Sequence, residues 1–301
     1  MSKITLRTTA LFAIIALACQ ASYAASKGKT MQEILDASTA ADWRTPDPNN
    51  VLIMDIAGGR VVIELAPQFA PEHTANIRTL ATEHFWDGLS IYRSQDNFVV
   101  QWGDAEEDPK LAKSPGTAKT KLPAEFSVAI FDKKQFHAIP DSDGWSKTAG
   151  FVDGFPAATD GKQTWLAHCY ATLGAGRGNE PDSSTGAELY VVTGQSPRQL
   201  DRNITTVGRV LQGMEFLSIL PRGTGPLGFY EKKEQRAPIK AIRLASTIPE
   251  SERVNLEVFR TNTKTFDELV EARRNRKDDW YLSKAGHIDV CNVPIPVRVK
   301  K

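Results

Sequence analysis

The stretch IYRSQDNFVVQWGD, residues 91–104, decides how the rest of the chain is interpreted. It holds two runs rich in β-branched and aromatic residues around Asp96-Asn97, a pair that favours a turn. Arg93 lies in the first run, and Phe98 and Gln101 lie in the second. The runs at residues 89–93 and 98–101 are predicted to be short strands.

Similar short runs flank this stretch on both sides. Val51–Ile56 and Arg60–Leu65 surround a Gly58-Gly59 turn, which predicts a hairpin. Leu189–Thr193 and Thr205–Val210 are further strand candidates. Several short strands with few helices between them predict a closed barrel or a sandwich.

A small number of helices accompanies these strands. The helix that opens at Ala70-Pro71-Glu72 has its proline in the first turn, where the missing N–H costs nothing. It keeps Ile77, Leu80 and Ala81 on one face. The other predicted helices are residues 31–41, residues 213–220 and one that starts with a capping box at Thr265–Glu268.

The composition is that of a soluble globular protein. The chain has 301 residues, with 37 Lys and Arg against 36 Asp and Glu and 41% hydrophobic residues. It therefore lacks the basic footprint of a nucleic-acid surface and the apolar content of a multi-span membrane protein. The five histidines have no zinc-helix spacing. Residues 223–228, GTGPLG, follow a predicted helix and contain Pro226, so a dinucleotide loop is not indicated and no cofactor is predicted.

The N-terminus has the three regions of a secretory signal peptide. Lys3 and Arg7 precede an apolar run at residues 10–19, and small residues lead to a predicted cleavage after Ala24. The run is too short to span a bilayer as a helix. We expect an exported, periplasmic protein; the alternative is a lipoprotein modified at Cys19.

The remaining chain divides into three parts. Residues 25–49 form an N-terminal segment that ends in a Pro/Asn cluster, and residues 50–246 form the main domain. Within that domain, residues 127–164 show little periodicity and are predicted to be an inserted surface loop. Residues 247–301 are a C-terminal extension with one helix.

Two cysteines, Cys169 and Cys291, remain after the predicted cleavage. In an oxidising compartment they can form a disulfide, and the long loop between them would give a stabilisation of several kcal/mol. The sequence does not show that their Cβ atoms approach each other, so the pairing is left open.

Residues 91–104 resemble the central signature of the cyclophilin peptidyl-prolyl cis-trans isomerases, in which an Arg, a short turn, a Phe, a Met or Val, a Gln and a Gly-Asp pair follow one another. The spacing from Arg93 through Phe98 and Gln101 to Asp104 matches this signature without a gap. The resemblance extends over residues 50–246. Its other blocks are residues 62–67, 70–77, 186–193 (similar to the family's Gly-Ser-Gln-Phe-Phe strand), 200–201, 207–210 and 213–214.

The resemblance implies a mainly β fold: a closed, eight-stranded antiparallel barrel capped by two helices, with a proline pocket on its outer face. It also implies two catalytic candidates. The guanidinium of Arg93 would stabilise a twisted prolyl amide, and Gln101 would orient the carbonyl side. The substrate-binding candidates are Phe98, Val99, Tyr190, Leu200, the loop residues Gly176 and Arg177, and two departures from the family, Gln199 in place of a Trp and Ile204 in place of a His.

Such a reaction needs neither a nucleophile nor a cofactor. Rotation about an X–Pro bond crosses a resonance barrier of roughly 18–20 kcal/mol, and no bond is made or broken. In the twisted transition state the prolyl nitrogen recovers its lone pair. A guanidinium aimed at that nitrogen therefore binds the transition state better than either planar ground state.

The predicted function is peptidyl-prolyl isomerisation of proline-containing segments in unfolded or flexible client proteins, without nucleic acid and without a membrane span. The alternative is a catalytically weak scaffold that binds proline peptides. It is motivated by Gln199, Ile204, the insertion and an extension that could dock across the pocket. The third hypothesis is a general holdase that does not depend on Arg93.

Overall fold

The computed structural model of the protein describes residues 28–106, 108, 110–129, 134–276 and 280–300. The predicted signal peptide and Cys19 lie outside these residues. In the described part, no helix is long and apolar enough to cross a membrane, and no group of three or more His, Cys, Asp or Glu side chains is placed to hold a metal ion. The helices are α1 (Met31–Asp36), α2 (Pro71–Thr82), α3 (Met214–Ser218) and α4 (Lys264–Arg274).

Sixteen strands lie in the described residues. In chain order they are β1 (Trp43–Arg44), β2 (Val51–Ile56), β3 (Gly59–Leu65), β4 (Ser90–Ser94), β5 (Val99–Gly103), β6 (Val128–Ala129), β7 (Phe136–Ala138), β8 (Thr148–Val152), β9 (Phe155–Thr159), β10 (Gln163–Leu166), β11 (Thr172–Ala175), β12 (Leu189–Val192), β13 (Thr206–Gln212), β14 (Ala237–Leu244), β15 (Leu256–Phe259) and β16 (Val297–Val299). They form three sheets, one of which closes on itself.

Eight of the strands close into an antiparallel barrel in the order β11-β12-β5-β4-β14-β2-β3-β13. Helices α2 and α3 pack on the barrel core through Ile77, Leu80 and Leu217. Helix α2 begins at Pro71, as predicted from the proline in its first turn. The predicted eight-stranded antiparallel barrel capped by two helices is confirmed.

The hairpin β2–β3 is apolar on both faces. Leu52 and Met54 belong to the barrel core, whereas Val51 and Ile53 pack outside the barrel against Val258 and its neighbours. Because both faces are buried, residues 51–54 of β2 are continuously apolar rather than alternating. A second structural layer must therefore cover the outer face of this hairpin.

That layer is built from the N-terminal segment and the C-terminal extension together. Strands β1, β15 and β16 form an antiparallel sheet, in which Trp43 packs edge-on against Phe259 with ring centroids 4.8 Å apart. Helix α4 buries Phe266 against this sheet. In the barrel order, β2 and β3 stand opposite β5 and β12, which carry Gln101 and Tyr190. The extension therefore lies behind the predicted pocket rather than across it.

Helix α4 begins at Lys264, and its N-cap is Thr263, whose hydroxyl accepts a hydrogen bond from the Phe266 amide at 3.2 Å. The predicted capping box at Thr265–Glu268 is therefore wrong by two residues. The hydroxyls of Thr263 and Thr265 both bond to the carboxylate of Asp42, which ties the start of the helix to the N-terminal segment.

The predicted surface loop at residues 127–164 is instead a five-stranded antiparallel sheet in the order β6-β10-β9-β8-β7. The central strands β8 and β9 of this sheet are covered on both faces. Phe151 packs against the extension layer, whereas the adjacent Val152 packs with Phe69, which follows β3. Alternation disappears from the sequence of such a sheet, which is why the segment lacked a recognisable period.

Cys169 and Cys291 form a disulfide, with their Cα atoms 5.0 Å apart. The bond settles the pairing that the sequence left open. It joins the segment before β11 to a 3-10 turn of the C-terminal extension, Val290–Asn292. Both cysteines belong to the core between the inserted sheet and the extension.

Candidate active site

Arg93 and Gln101 face each other on neighbouring barrel strands. Strand β4 pairs with β5 in antiparallel register, with Arg93 opposite Gln101 after a bulge that begins at Ile91. Arg93 Nη1 donates to Gln101 Oε1 at 3.0 Å. A bulge re-aims the side chain that follows it, and here it aligns the guanidinium with the amide on the next strand.

Two further oxygen atoms hold the guanidinium. Nη2 donates to the side-chain carbonyl of Gln95, and Nε donates to the backbone carbonyl of Leu227 at 2.8 Å. The Phe98 and Phe229 ring centroids lie 5.6 and 5.3 Å from the guanidinium carbon. Burial lowers the pKa of Arg93, although a guanidinium stays charged at neutral pH. Arg93 is therefore a fixed, partly desolvated cation with neutral hydrogen-bond acceptors.

A small apolar cluster lies beside this cation. Val99, Tyr190 and Val192 are buried, and Phe98 and Ile204 pack against them. Phe98 packs on this cluster, and its ring also lies beside the Arg93 guanidinium. The apolar surface and the positive charge are therefore adjacent. A pyrrolidine ring with its amide nitrogen fits such an arrangement, in which apolar walls hold the ring and a few polar groups fix its orientation.

Gln199 and Leu200 lie on the 3-10 turn Arg198–Leu200, next to this cluster in the chain. Gln199 is exposed and Leu200 is half-buried. Among the described residues, the apolar cluster includes Ile204 but neither of these two side chains. The structure thus brings Ile204 together with the pocket wall and leaves Gln199 at the surface.

Gly176 and Arg177 follow β11 directly. A Cβ atom on Gly176 would lie 3.4 Å from Gln101 Nε2, so the backbone here passes close to the catalytic candidate. Arg177 Nε donates to the carbonyl of Asn203 at 2.8 Å. Arg177 therefore ties this loop to the segment that carries Ile204.

A hydrogen-bond chain runs from the guanidinium into the barrel wall. Gln101 Nε2 donates to the Tyr92 hydroxyl at 2.7 Å, and that hydroxyl donates to Glu188 Oε2. The Asp104 amide donates to Glu188 Oε1 at 2.8 Å. Since Gln101 accepts from Arg93 with its oxygen and donates to Tyr92 with its nitrogen, the chain fixes the orientation of its amide. Burial raises the pKa of Glu188 to about 7.

We predict a pH-dependent stability effect from Glu188. A carboxyl whose folded pKa is above its unfolded value near 4.3 stabilises the protein below that value, and this stabilisation is lost as the pH rises through about 7. The unmodified protein loses this stabilisation between pH 5 and pH 8, whereas Glu188→Gln has no carboxyl to lose it from. The free energy of unfolding of the variant minus that of the unmodified protein, measured in urea, should therefore be higher at pH 8 than at pH 5 by about 2–3 kcal/mol. For the exposed control Glu234→Gln, the difference in free energy of unfolding from the unmodified protein should be the same at both pH values. If this difference is also independent of pH for Glu188→Gln, the prediction is contradicted.

The floor of the apolar cluster rests on a buried polar network. The Tyr190 hydroxyl lies 2.9 Å from His168 Nε2, and His168 Nδ1 lies 2.9 Å from Asp201 Oδ1. Arg198 Nε donates to Asp201 Oδ2 at 2.7 Å. Burial opposes ionisation of Asp201, but the bond from His168 and the charge of Arg198 lower its pKa. This network fixes the position of the Tyr190 ring.

Sequence reasoning missed several residues that the structure places at the site: Gln95, Leu227, Phe229, Glu188 and His168. One signal was the glycine-rich stretch GTGPLG, which carries Leu227. Gly228 in this stretch has a φ of +78°, and a Cβ atom there would lie 2.5 Å from the Gln95 Cα. The glycine allows the loop to approach β4 and to place the Leu227 carbonyl on Arg93. The other signal was a Glu at position 188, where the family strand has a Gln.

An eight-stranded antiparallel barrel with an arginine, a glutamine and an apolar cluster on its wall has the architecture of a cyclophilin-type prolyl isomerase. Residues 51–247 match the family profile described as "Cyclophilin type peptidyl-prolyl cis-trans isomerase/CLD". The chain therefore belongs to the cyclophilin-type peptidyl-prolyl cis-trans isomerases, as the resemblance of residues 91–104 implied.

Individual relatives agree with this assignment. A "Probable peptidyl-prolyl cis-trans isomerase" of Brucella suis biovar 1 (strain 1330) is 26% identical over 185 residues, which cover 59% of this chain and 74% of that protein. The crystal structure of a cyclophilin from Hirschia baltica covers 91% of this chain and 99% of its own, with a TM-score of 0.68 and 23% identity. The second comparison shows that the fold is shared over most of the chain.

Proposed function

We propose that this protein isomerises X–Pro bonds in proline-containing segments of exported proteins, and that Arg93 stabilises the twisted prolyl amide. The observation that carries the proposal is the position of a partly desolvated guanidinium at the edge of the Phe98–Tyr190 apolar cluster. A preorganised cation in a poorly hydrated site stabilises developing charge or a lone pair more strongly than the same cation in water.

The hydrogen bonds around Arg93 suit this role. A guanidinium has five N–H groups, and the bonds to Gln95, Gln101 and Leu227 use three of them. One N–H on each terminal nitrogen remains to reach the prolyl nitrogen in the twisted state. Gln101 likewise has a second amide N–H beyond the one given to Tyr92, and this group can donate to the substrate carbonyl.

The site of action is proposed from the N-terminal sequence, whose basic, apolar and small regions are typical of an export signal. The Cys169–Cys291 disulfide supports the same proposal, because such bonds persist in oxidising compartments such as the periplasm. The clients would be unfolded or flexible exported proteins that contain proline.

Ile204 favours a second candidate function, a proline-peptide-binding scaffold with little turnover. Its side chain packs into the apolar cluster at the position where the family has a histidine. An apolar residue there retains the capacity to hold a proline ring but removes a polar group from the pocket. Under this alternative, peptides bind without faster isomerisation.

Exchange spectroscopy on a short Ala-Pro peptide distinguishes the two functions without a coupling protease. The uncatalysed reaction takes tens to hundreds of seconds. For an isomerase, we expect catalytic amounts of the protein without residues 1–24 to produce cis-trans exchange much faster than this. Saturable peptide binding with exchange at the uncatalysed rate would contradict the isomerase and favour the scaffold. Varying the residue before proline then defines the preferred X–Pro bond.

A further inference from the structure

A groove with a volume of about 960 Å³ lies on the inserted sheet, outside the predicted pocket. Its walls include Phe136, Trp145, Lys147, Trp165 and Arg202. We refer to it as the Trp145 groove. The side chain of Trp145 is 56% exposed, which is unusual for a residue that normally buries its large apolar surface.

The turn that presents Trp145 is rigidly attached. The carboxylate of Asp143 accepts hydrogen bonds from the amides of Trp145 and Ser146 at 2.9 and 2.7 Å. The same carboxylate pairs with Arg198, and both side chains are almost fully buried, with 2% and 4% exposed. Breaking a buried pair by removing one partner is strongly destabilising. The exposed indole is therefore held in place by a buried anchor rather than carried on a loose loop.

The anchor also connects the groove to the predicted proline pocket. Arg198 begins the 3-10 turn that carries Gln199 and Leu200, and its Nε donates to Asp201. Asp201 in turn accepts from the indole nitrogen of Trp165 at 3.2 Å, on the groove side. Through His168, the same carboxylate supports Tyr190 on the pocket side. One buried network thus links Trp165 in the wall of the groove to Tyr190 in the wall of the pocket.

The chemistry of the groove suits an extended polypeptide. The guanidinium of Arg202 lies 4.5 Å from the Trp165 ring centroid and 3.5 Å from the Asp160 carboxylate. Exposed aromatic surface next to charged and backbone polar groups can accept an apolar side chain together with its peptide backbone. A client that places its proline in the pocket would continue past the Arg198–Asp201 turn into this groove.

We propose that the Trp145 groove binds the segment flanking the target proline and selects clients with an aromatic or large aliphatic side chain several residues from it. This inference rests on the proposed function of the neighbouring pocket. It gives the inserted sheet a role in substrate selection, with Trp145 as the main specificity-determining residue.

The test compares peptide lengths in a Trp145→Ala variant. The substrates are an Ala-Pro tetrapeptide and peptides of about twelve residues that carry Phe on the N-terminal or on the C-terminal side of the proline. One of the two long peptides places its Phe in the groove. For that peptide, we expect Trp145→Ala to raise KM about tenfold. For the tetrapeptide, kcat/KM should stay within about twofold, because that peptide lacks the flanking segment that the groove is proposed to bind.

Trp280→Ala is the matched control, because Trp280 is 79% exposed in the C-terminal extension and should affect none of the peptides. Equal losses on short and long peptides, or no loss on either long peptide, would overturn the proposal. Fluorescence anisotropy of the labelled long peptides gives an independent readout. If the unmodified protein fails to turn over the tetrapeptide but its long-peptide affinity still depends on Trp145, the isomerase assignment fails while the groove stands.

Discussion

Replacing Arg93 by Ala should lower kcat/KM for an Ala-Pro peptide by about 100- to 1000-fold, the range found when one preorganised transition-state donor is removed. The fold should survive this change. The acceptors of Arg93 are the side-chain oxygens of Gln95 and Gln101 and the Leu227 carbonyl, so its removal leaves no carboxylate without its cation. Exchange spectroscopy measures the activity, and thermal unfolding checks the fold.

Two further variants show whether the guanidinium itself is responsible. Arg93→Lys keeps the positive charge but loses the planar guanidinium, which can donate to Gln101 and to the substrate at the same time. We therefore expect an intermediate loss in kcat/KM of about tenfold. Arg273→Ala removes an exposed arginine from helix α4 and should leave the rate unchanged. An Arg93→Ala protein that isomerises at the unmodified rate would refute the assigned role and leave a function that does not need this cation.

Removing the disulfide should have the largest effect on stability. The Cys169–Cys291 bond closes a sequence separation of 122 residues, and a loop of this size restricts the unfolded chain by about 3–5 kcal/mol. We expect the double variant Cys169→Ala/Cys291→Ala to lose about that much free energy of unfolding in urea. Alanine is the better replacement, because Cys169 is only 4% exposed and a serine hydroxyl there would be buried.

Reductant provides the control for this experiment. With dithiothreitol, the unmodified protein should lose stability until it matches the double variant, whose own unfolding curve should not move. Isomerisation of a tetrapeptide should persist in the folded variant, because the bond lies outside the Arg93 and Tyr190 contacts. If both proteins unfold at the same urea concentration without reductant, the bond does not stabilise the fold as we expect.

Several local elements could be predicted from neighbouring residues alone. The Gly58-Gly59 turn indicated the β2–β3 hairpin, and Pro71 marked the start of α2. Closure of the barrel was predicted from the family resemblance, since periodicity alone left a sandwich open. Local signals suffice where a turn or a helix start depends on a few adjacent side chains.

The site was predictable to the extent that its residues are close in the sequence. Arg93, Phe98 and Gln101 lie within nine positions, and one antiparallel pair brings them together. The sequence marked the stretches that carry Leu227 and Glu188 but not their contacts, because these residues reach Arg93 and Tyr92 only after distant loops and strands pack. The polarity of the site therefore depends on contacts that no local pattern encodes.

The sequence by itself determined a globular β-rich chain, its first hairpin and helix, and the short spacing that lets Arg93 and Gln101 pair across two strands. Only the tertiary structure decided that residues 127–164 form a sheet, that Trp43 pairs with Phe259 and that Cys169 bonds to Cys291. Two physical reasons account for these cases. Strands that are buried on both faces lose their alternating pattern, and partners more than a hundred residues apart are chosen by packing of the whole chain rather than by nearby residues.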